Sequence, residues 1–484
     1  MECTPTQKSP DTTAPRSFVA RARRAVSGLL PIFGGGQRTS DSEVEEFLPI
    51  VDLAPSPSAS NGDSATRFTA AQALPGFDDA KRLIVEAMAS RADKLTLETT
   101  TESTVWHDVD GILLKPLRAE NGPGGERQWR EAASLSRDAG RAVAQVLRVL
   151  SGLPDSGDQQ AGVFEFTVDR VPSQGRLASV RSTNGERIVV QFVTKNRFPA
   201  TLPDAGMPES MVNRLAELID PDHGLLVLSS PPGHGLTTSL DLLVEASDRF
   251  LRDFVAITTK DRGGREIVNL TTMPYGHKDD PTAVELLKTV INKNIGVIVA
   301  PDVRDKDFVV ELVKVAATKA MVLMSIKAAD AAEAVGRVMK CGVDPKVFGS
   351  ALRGSLSQRL VRRLCPRCGA KAEPSAAPQP LSRGTDEPAA KAGAAARQGC
   401  QLCRGVGYRG RIGVFELASG ETLRRVVAAG GGSERLRQAV LKDGMQPLRS
   451  AGLQLVAEGA TSLEEIERVF TPSPAATQSR SVRG

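Results

Sequence analysis

The most regular hydrophobic pattern lies in the second half of the chain. Nearly continuous apolar runs alternate there with helix-like segments, at residues 225–228, 254–258, 296–300 and 321–326. Runs of this kind are typical of parallel strands that are covered on both faces. The repeated order of helix and strand beyond Pro203 therefore predicts a doubly wound α/β core.

The first half has a mixed pattern. Apolar residues recur at helical spacing just after Phe77, which predicts an amphipathic helix with Asp78 as its N-cap. Alternating residues predict a hairpin that turns at Asp110 and Gly111, and a long helix is expected over residues 129–150. Further strands are predicted at 94–99, 163–168 and 187–193. These elements together predict a smaller α+β domain.

Composition separates these domains from segments without a core. Residues 1–72 are rich in Ser, Thr, Pro, Gly and Asp and are expected to be a disordered leader. Within it, residues 16–33 read either as a solvated linker or as an amphipathic helix for a membrane surface or a partner. Disorder is also expected in the tail, 471–484, and in the Ala/Pro/Gly-rich loop 370–399.

The expected domain limits follow from these patterns. They are an α+β domain over 73–200 and an α/β domain over 201–470, which includes a cysteine-rich module at 361–417. A capping box beginning at Ser462 predicts a last helix.

Overall composition narrows the class of protein. Of 484 residues, 40% are hydrophobic and 25% are charged, which is ordinary for a globular chain. No apolar run approaches the roughly 18 residues of a membrane span, and the first residues lack the order of a secretory signal. A formal net charge of +5 is small for this length and gives weak support to nucleic acid as a partner. A cytoplasmic protein, bound to a membrane only peripherally, is the expectation.

The stretch from 224 to 243 carries the most specific chemistry. It reads as a buried strand, a Pro/Gly-rich turn and a helix, the layout of a phosphate-binding loop G-x-x-x-x-G-K-[ST]. Ser230 stands at the first Gly, Leu236 at the Lys and Thr237 at the Mg²⁺ ligand. The glycine-rich turn of the motif is present, but the lysine that would supply its positive charge is replaced by Leu236. The expected donors to a phosphate are Gly233, His234, Gly235, Thr237 and Thr238.

Two C-x-x-C pairs contain four of the six cysteines, Cys365, Cys368, Cys400 and Cys403. Close pairs of this spacing suit a closed, tetrahedral Zn²⁺ site with a structural role. The alternative is four reduced cysteines without a metal.

Several segments resemble the ATPases of type II secretion and type IV pilus assembly. SQRLVRRLCPRC and CQLCRGVGYRGRIGVFEL are similar to that family's zinc-binding segment, and residues 423–470 are similar to its C-terminal helices. RADKLTLET resembles the family's RASDIHIEP, and VWHDVDG resembles its VRYRIDG. The near-identical stretches 358–363 and 407–411 either hold the zinc module on the core or also contact neighbouring subunits.

The resemblance implies a RecA-like P-loop fold in a cytoplasmic, hexameric motor, which acts at the inner membrane on a platform protein. It also implies ATP with Mg²⁺ as ligands and a role for Arg176, which matches an arginine of the family's RVSTLPT. Partners would be identical subunits or related ATPase subunits, and no nucleic acid.

The charges that this motor chemistry needs are replaced at most aligned positions. Lys260 stands for an acidic residue of ITVEDPVE, and Asp302 stands for the Glu of DPDVIMVGEIRD. The histidines of TGHLVLSTLHTND are replaced by Ala320 and Lys327. With Leu236, these changes predict a pseudo-ATPase in which nucleotide binding is weak or absent. The alternatives are a divergent motor with weak ATP hydrolysis, and a zinc-ribbon protein for nucleic acid, which scarce aromatic residues disfavour.

Overall fold

The computed structural model describes residues 49–53, 62–121, 127–155, 157–194, 199–260, 266–276, 280–293, 295–369 and 399–471. Within these ranges the chain forms two compact units. We call the unit of residues 199–361 and 412–471 the parallel-sheet unit, and that of residues 49–198 and 362–411 the antiparallel-sheet unit. The expectations for 16–33, for 370–398 and for the tail from 472 lie outside the described residues.

The antiparallel-sheet unit is an α+β structure, as predicted. Its strands are β1 (Val51–Asp52), β2 (Ala92–Thr99), β3 (Ser103–Val109), β4 (Ile112–Leu114), β5 (Leu117–Asn121), β6 (Arg127–Glu131), β7 (Gln159–Val168), β8 (Val171–Ser182) and β9 (Gly185–Thr194). Seven of them form one sheet in the order β1-β7-β8-β9-β2-β3-β4, and β5 pairs with β6. Helices α1 (Gly62–Gln72), α2 (Phe77–Ala89) and α3 (Arg137–Leu150) bury their apolar residues against this sheet.

Three expectations for this part of the chain are wrong. Residues 62–72 form a helix although they lie in the expected disordered leader. Helix α2 is capped by Gly76 with φ of +92°, so Asp78 lies in its first turn instead. The helix expected from residue 129 begins only at Arg137, because Ser136 accepts the N–H of Ala139 as N-cap and Trp129 lies in β6.

The parallel-sheet unit has the predicted doubly wound form. Its strands are β10 (Gly224–Ser230), β11 (Phe254–Thr259), β12 (Leu270–Tyr275), β13 (Val297–Ala300), β14 (Met321–Lys327), β15 (Leu352–Leu364) and β16 (Tyr408–Ala418). They are ordered β12-β11-β13-β14-β10-β15-β16, and the pairs from β12 to β15 are parallel. The helices are α4 (Glu209–Ile219), α5 (Leu236–Ala246), α6 (Ala283–Ile291), α7 (Lys306–Thr318), α8 (Ala331–Met339) and α9 (Pro345–Ala351).

Apolar side chains cover both faces of this sheet. Along β10, Leu225 and Val227 join a core with helices α6 to α9, whereas Leu226 and Leu228 join a core with α4 and α5. Successive side chains of a strand point to opposite faces, so a strand buried on both sides must be apolar throughout. This explains the continuous apolar runs in the sequence.

Four further helices belong to the unit, α10 (Glu421–Ala428), α11 (Ser433–Lys442), α12 (Leu448–Ala457) and α13 (Leu463–Phe470). Ser462 caps α13, as predicted, by accepting the N–H of Glu465 at 3.3 Å. Leu448 and Ile466 pack on Val361, Ile412 and Val414 of the strands. None of the helices in the part of the chain that the structure describes combines the length and the hydropathy of a membrane span.

A buried carboxylate joins two of these helix starts. Glu416 on β16 is 3% exposed and accepts the N–H of Ala331 at 2.7 Å and the N–H of Leu448 at 2.9 Å, the first residues of α8 and α12. Hydrogen bonds to a charged group contribute about 1.5–3 kcal/mol each, and a buried donor without a partner is costly. Glu416 therefore fastens two helix N-termini to the sheet edge.

We expect Glu416→Ala to lower the free energy of unfolding by about 3 kcal/mol or more, because both N–H groups lose their acceptor. Urea denaturation measures the change. Glu421→Ala is the matched control, because the ion pairs of Glu421 are with the exposed Arg424 and Arg425 of its own helix, and this substitution should leave the free energy of unfolding nearly unchanged. Equal effects of the two substitutions would contradict the assigned role.

Candidate functional site

The strand-to-helix loop lies at the carboxyl end of β10. Every residue of β10 is buried, and α5 starts at Leu236. Gly233 and Gly235 have φ of +80° and +81°, a left-handed backbone that favours glycine. Gly235 is the N-cap of α5 and provides no side-chain cap. The first N–H groups of α5 can therefore donate to an anion.

Contacts with β15 hold the loop in this shape. The backbone N–H of Leu360 donates to His234 Nδ1 at 3.0 Å, and Gln358 Nε2 donates to the His234 carbonyl at 2.8 Å. A Cβ at Gly235 would lie 3.3 Å from both Gln358 Nε2 and Leu360 Cδ1. His234 thus has a structural hydrogen bond on Nδ1, and the loop is braced by the protein's own atoms.

The residue at the lysine position packs against the core. Leu236 is half-buried and packs against the apolar cluster shared by α4 and α5. Thr237 is exposed and Thr238 is half-buried. The loop therefore keeps the exposed Thr237 hydroxyl at the Mg²⁺-ligand position, whereas the preceding Leu236 packs against the apolar cluster.

Two replaced positions meet at the neighbouring strand ends. Lys327 ends β14 directly opposite Ser230, and Asp302 follows β13, the next strand of the sheet. Lys327 Nζ lies 3.7 Å from Asp302 Oδ1. Arg304 Nε donates to Asp302 Oδ2 at 3.1 Å, and Arg304 Nη2 contacts the same oxygen. The Asp302 carboxylate is therefore paired with two cations of its own chain.

The backbone of Asp302 is also fixed. Its φ is +46°, a conformation that Asp tolerates better than most residues, and its N–H donates to Ser325 Oγ at 2.9 Å. The hydrogen bond and negative charge of Asp302 raise the pKa of Arg304. Burial, followed by the charges of Asp305 and Asp302, raises the pKa of Tyr275.

Lys260 is similarly engaged at the end of β11. Its Nζ donates to Asp280 Oδ1 at 2.9 Å, and its backbone N–H donates to the Tyr275 carbonyl. The structure thus places Leu236, Lys260, Asp302 and Lys327 at or beyond the carboxyl ends of four parallel strands of one sheet. Arg176 lies in the other unit, exposed on β8 opposite Val163 and Gln191.

The four predicted cysteines come together in the antiparallel-sheet unit. The Sγ–Sγ distances are 3.7 Å for Cys365 and Cys400, 3.6 Å for Cys368 and Cys403, and 3.9 Å for Cys400 and Cys403, and all four Sγ atoms lie within 4.8 Å of one another. Zn–S bonds of about 2.3 Å at tetrahedral angles would place the sulfur atoms about 3.8 Å apart. The cluster therefore has the donor set and spacing of a metal site.

Backbone hydrogen bonds and burial also affect the thiols of this cluster. The N–H groups of Cys400 and Gly407 each lie 3.2 Å from Cys403 Sγ. Burial raises the pKa of the Cys368 and Cys403 thiols, whereas hydrogen bonds from the Cys403 backbone and from neighbouring thiols outweigh burial and lower the pKa of Cys400. A bound cation is what would allow all four thiols to ionise together.

The arginines of the near-identical stretches contact their own units. Arg359 donates to the Val469 carbonyl at 2.7 Å in the parallel-sheet unit. In the other unit, the Arg362 guanidinium lies 3.9 Å above the centre of the Tyr408 ring, and Arg411 pairs with Asp93 at 2.9 Å. These contacts lie within each unit, and the two roles predicted for the stretches, holding the zinc module on the core or also contacting neighbouring subunits, stay predictions.

Comparison with known proteins identifies relatives along most of the chain. The model of the family described as "Type II/IV secretion system protein" matches residues 78–468. "Type II secretion system protein HxcR" of Pseudomonas aeruginosa is 28% identical over 389 residues, which cover 80% of this chain and 76% of that protein. "Type IV pilus assembly ATPase PilB" of Thermus thermophilus is 27% identical over 343 residues, 70% of this chain and 38% of that protein.

A solved structure confirms the predicted fold class. The Legionella pneumophila ATPase DotB has a TM-score of 0.55 at 15% identity, over 82% of this chain and 95% of DotB. The predicted P-loop α/β core, with a smaller α+β domain before it, is therefore confirmed. The domain limits remain a prediction. Residues 362–411 cluster with the antiparallel-sheet unit, rather than with the α/β domain to which the sequence assigned them.

Proposed function

Because the chain belongs to the type II/IV secretion system protein family, we propose that it is a non-catalytic member, a pseudo-ATPase that serves a secretion or pilus assembly machine as a scaffold or regulatory subunit. One observation carries this proposal. The charged side chains at the replaced catalytic positions are paired within the chain itself, Asp302 with Arg304 and Lys327, and Lys260 with Asp280.

The chemistry of phosphoryl transfer explains why this matters. Such a site must offer cations to the outer phosphates and a carboxylate that positions the attacking water. The leucine at the lysine position donates no hydrogen bond, and its side chain packs against the apolar cluster of α4 and α5. The Asp302 carboxylate is one methylene shorter than Glu and is neutralised by two cations, so it is a poor acceptor for a proton from water. Both deficits lower turnover.

The backbone of the loop is the basis for a second part of the proposal, weak nucleotide binding. Gly233, Gly235 and the uncapped start of α5 keep the frame that surrounds a phosphate, and Thr237 keeps an exposed hydroxyl. We propose that ATP with Mg²⁺ binds weakly here and is not hydrolysed. His234 Nδ1 is occupied by Leu360, so His234 would contribute its position rather than this nitrogen.

The remaining parts of the proposal concern assembly. Zn²⁺ is the structural metal that the four thiolates fit, and its role is to hold the cysteine segment closed. We propose that the chain joins a hexamer, either with itself or with related active subunits, at the cytoplasmic side of the inner membrane beside a platform protein. The family membership supports this general setting.

The full-length, metal-loaded chain is expected to show no ATP hydrolysis above a Thr237→Ala control in the presence of Mg²⁺. A coupled phosphate-release assay measures this, and an active relative serves as the positive control. Mg²⁺-dependent turnover above the Thr237→Ala level would favour the alternative, a divergent motor with weak ATP hydrolysis.

Nucleotide binding is measured on the same sample by its melting temperature. A non-hydrolysable ATP analogue should raise the melting temperature of the wild-type chain, because a ligand that binds only the folded state stabilises it. The shift should be smaller in Thr237→Ala. No shift at millimolar analogue would limit the loop to a purely architectural role.

A further inference from the structure

Lys327 places a positive charge beside the start of the loop after β10. It is the last residue of β14 and lies directly opposite Ser230, which stands at the first glycine position of the loop motif. The next residue, Ala328, donates its backbone N–H to the Ser230 carbonyl at 3.3 Å. Neighbouring strands are only about 4.8 Å apart, and a lysine ammonium is carried on a flexible four-carbon stem. The ammonium of Lys327 can therefore reach a phosphate that the loop holds.

The ion pair that Lys327 makes in the structure is a weak one. Its Nζ lies 3.7 Å from Asp302 Oδ1, which is longer than a hydrogen bond, and the two side chains are 46% and 44% exposed. An exposed pair of this kind changes an equilibrium constant by less than about fivefold. A charge-assisted hydrogen bond to a phosphate changes it by about 10- to 100-fold. A bound phosphate would therefore displace Asp302 as the partner of Lys327.

Asp302 does not need Lys327 to stay neutralised. Arg304 Nε donates to Asp302 Oδ2 at 3.1 Å, and Arg304 Nη2 contacts the same oxygen. Departure of Lys327 would leave Asp302 with the stronger of its two partners. The same contacts keep Arg304 at Asp302, so Lys327 is the cation of this cluster that can change partners.

The other carboxylates near this end of the sheet are engaged elsewhere. Asp305 and Asp330 are the N-caps of α7 and α8 and accept backbone N–H groups there. Asp330 also lies 3.8 Å from Arg437 Nη2, and Glu333 lies 2.9 Å from Arg337 Nη2. Among the carboxylates that the structure describes, Asp302 is the one within salt-bridge distance of Lys327. Movement of the ammonium therefore breaks a single ion pair.

We propose that Lys327 supplies the positive charge that the loop lacks at Leu236, by moving its ammonium from Asp302 to the outer phosphates of a bound nucleotide. The inference rests on the weak nucleotide binding proposed above and names the side chain that strengthens it. It adds affinity and no turnover, because Arg304 still neutralises Asp302, the carboxylate that would position the attacking water.

The test measures binding of a fluorescent, non-hydrolysable ATP analogue with Mg²⁺ to the full-length, metal-loaded chain. Lys327→Gln should weaken binding by about 10-fold, because a charge-assisted contact to phosphate is lost while only a weak ion pair no longer has to be broken. Lys327→Arg should restore most of that affinity, because it keeps a cation that binds phosphate. A role of Lys327 in packing alone would not separate these two variants by their charge.

Lys314→Gln is the matched control. Lys314 is an exposed lysine of α7 whose Nζ lies 2.7 Å from Glu311 Oε1, and its replacement should leave the affinity at the wild-type value. Equal affinities of Lys327→Gln and the wild type would overturn this inference and leave weak binding by the loop in place. Equal weakening in Lys327→Gln and Lys327→Arg would overturn it as well, since the charge would then have no role. A wild-type chain that binds no analogue would overturn the proposed binding and this inference together.

Discussion

Replacing Cys365 by serine is expected to abolish metal binding and to destabilise the antiparallel-sheet unit strongly. Cys365 is fully buried, and its Sγ lies 3.7 Å from Cys400 Sγ in the four-sulfur cluster. A serine hydroxyl does not ionise at neutral pH and is a poor ligand for zinc. Structural Zn²⁺ contributes about 10–16 kcal/mol to the folding of small zinc peptides, so loss of one ligand should cost several kcal/mol.

Elemental analysis and thermal unfolding measure this result. The wild-type chain should contain about one zinc ion per chain and Cys365→Ser close to none, with a clearly lower melting temperature. Cys341→Ser is the matched control, because Cys341 is a half-buried cysteine outside the cluster, with its Sγ 3.4 Å from the Arg337 carbonyl. A wild-type chain without bound metal, or equal metal content in both variants, would contradict the zinc assignment.

The elements that the sequence predicts best are strands buried on both faces, because their nearly continuous apolar runs are easy to recognise. Strands β10, β11, β13 and β14 are apolar over most of their buried length, and buried serine or threonine occurs only toward their carboxyl ends. Strand β8 was not predicted because three of its four buried positions are filled by Ser173, Gly175 and Ser179. Gly175 lies under the Phe164 ring, where a Cβ would be only 2.3 Å from Phe164 Cε1. Small residues chosen for close packing do not produce an apolar alternation.

The candidate site was found from sequence as a set of positions, but its pairings were not. Asp302 and Lys327 lie in separate segments, and only the parallel register of β13 and β14 brings the ends of these strands together. The sequence does contain one signal for the first pairing. A carboxylate, Asp302, stands at the family's Glu position and a cation, Lys327, stands at a family His position, so the two side chains have opposite charges. The Asp280 partner of Lys260 and the Gln358 contact with His234 gave no comparable signal.

These pairings change the meaning of the replaced residues. A drifting active site would leave charges exposed and unmatched, whereas Asp302, Lys327 and Lys260 each have a partner of opposite charge. Exposed ion pairs contribute little to stability, typically under about 1 kcal/mol, so these pairs mainly keep the charged groups engaged rather than stabilise the fold. Such an arrangement is what we expect of the proposed scaffold or regulatory subunit, which would contact partners and not hydrolyse ATP.

Leu236→Lys is expected to strengthen nucleotide binding without restoring hydrolysis. The start of α5 and the loop glycines already provide backbone donors, so an added ammonium would reach the outer phosphates of a bound nucleotide. One charge-assisted hydrogen bond corresponds to about 10- to 100-fold in affinity. Turnover should stay at the Thr237→Ala level, because Asp302 remains held by Arg304 and Lys327.

Fluorescent-nucleotide titration and phosphate release separate the two effects. Leu236→Met is the matched control, because it keeps an apolar side chain of similar volume in the cluster that Leu236 contacts and adds no charge. It should bind nucleotide like the wild type. Hydrolysis by Leu236→Lys alone would mean that the lysine was the only essential loss, and that the paired carboxylate at Asp302 can still position water. A gain in affinity shared by Leu236→Met would instead assign the effect to repacking of α5, since the added charge is the only feature that separates the two variants.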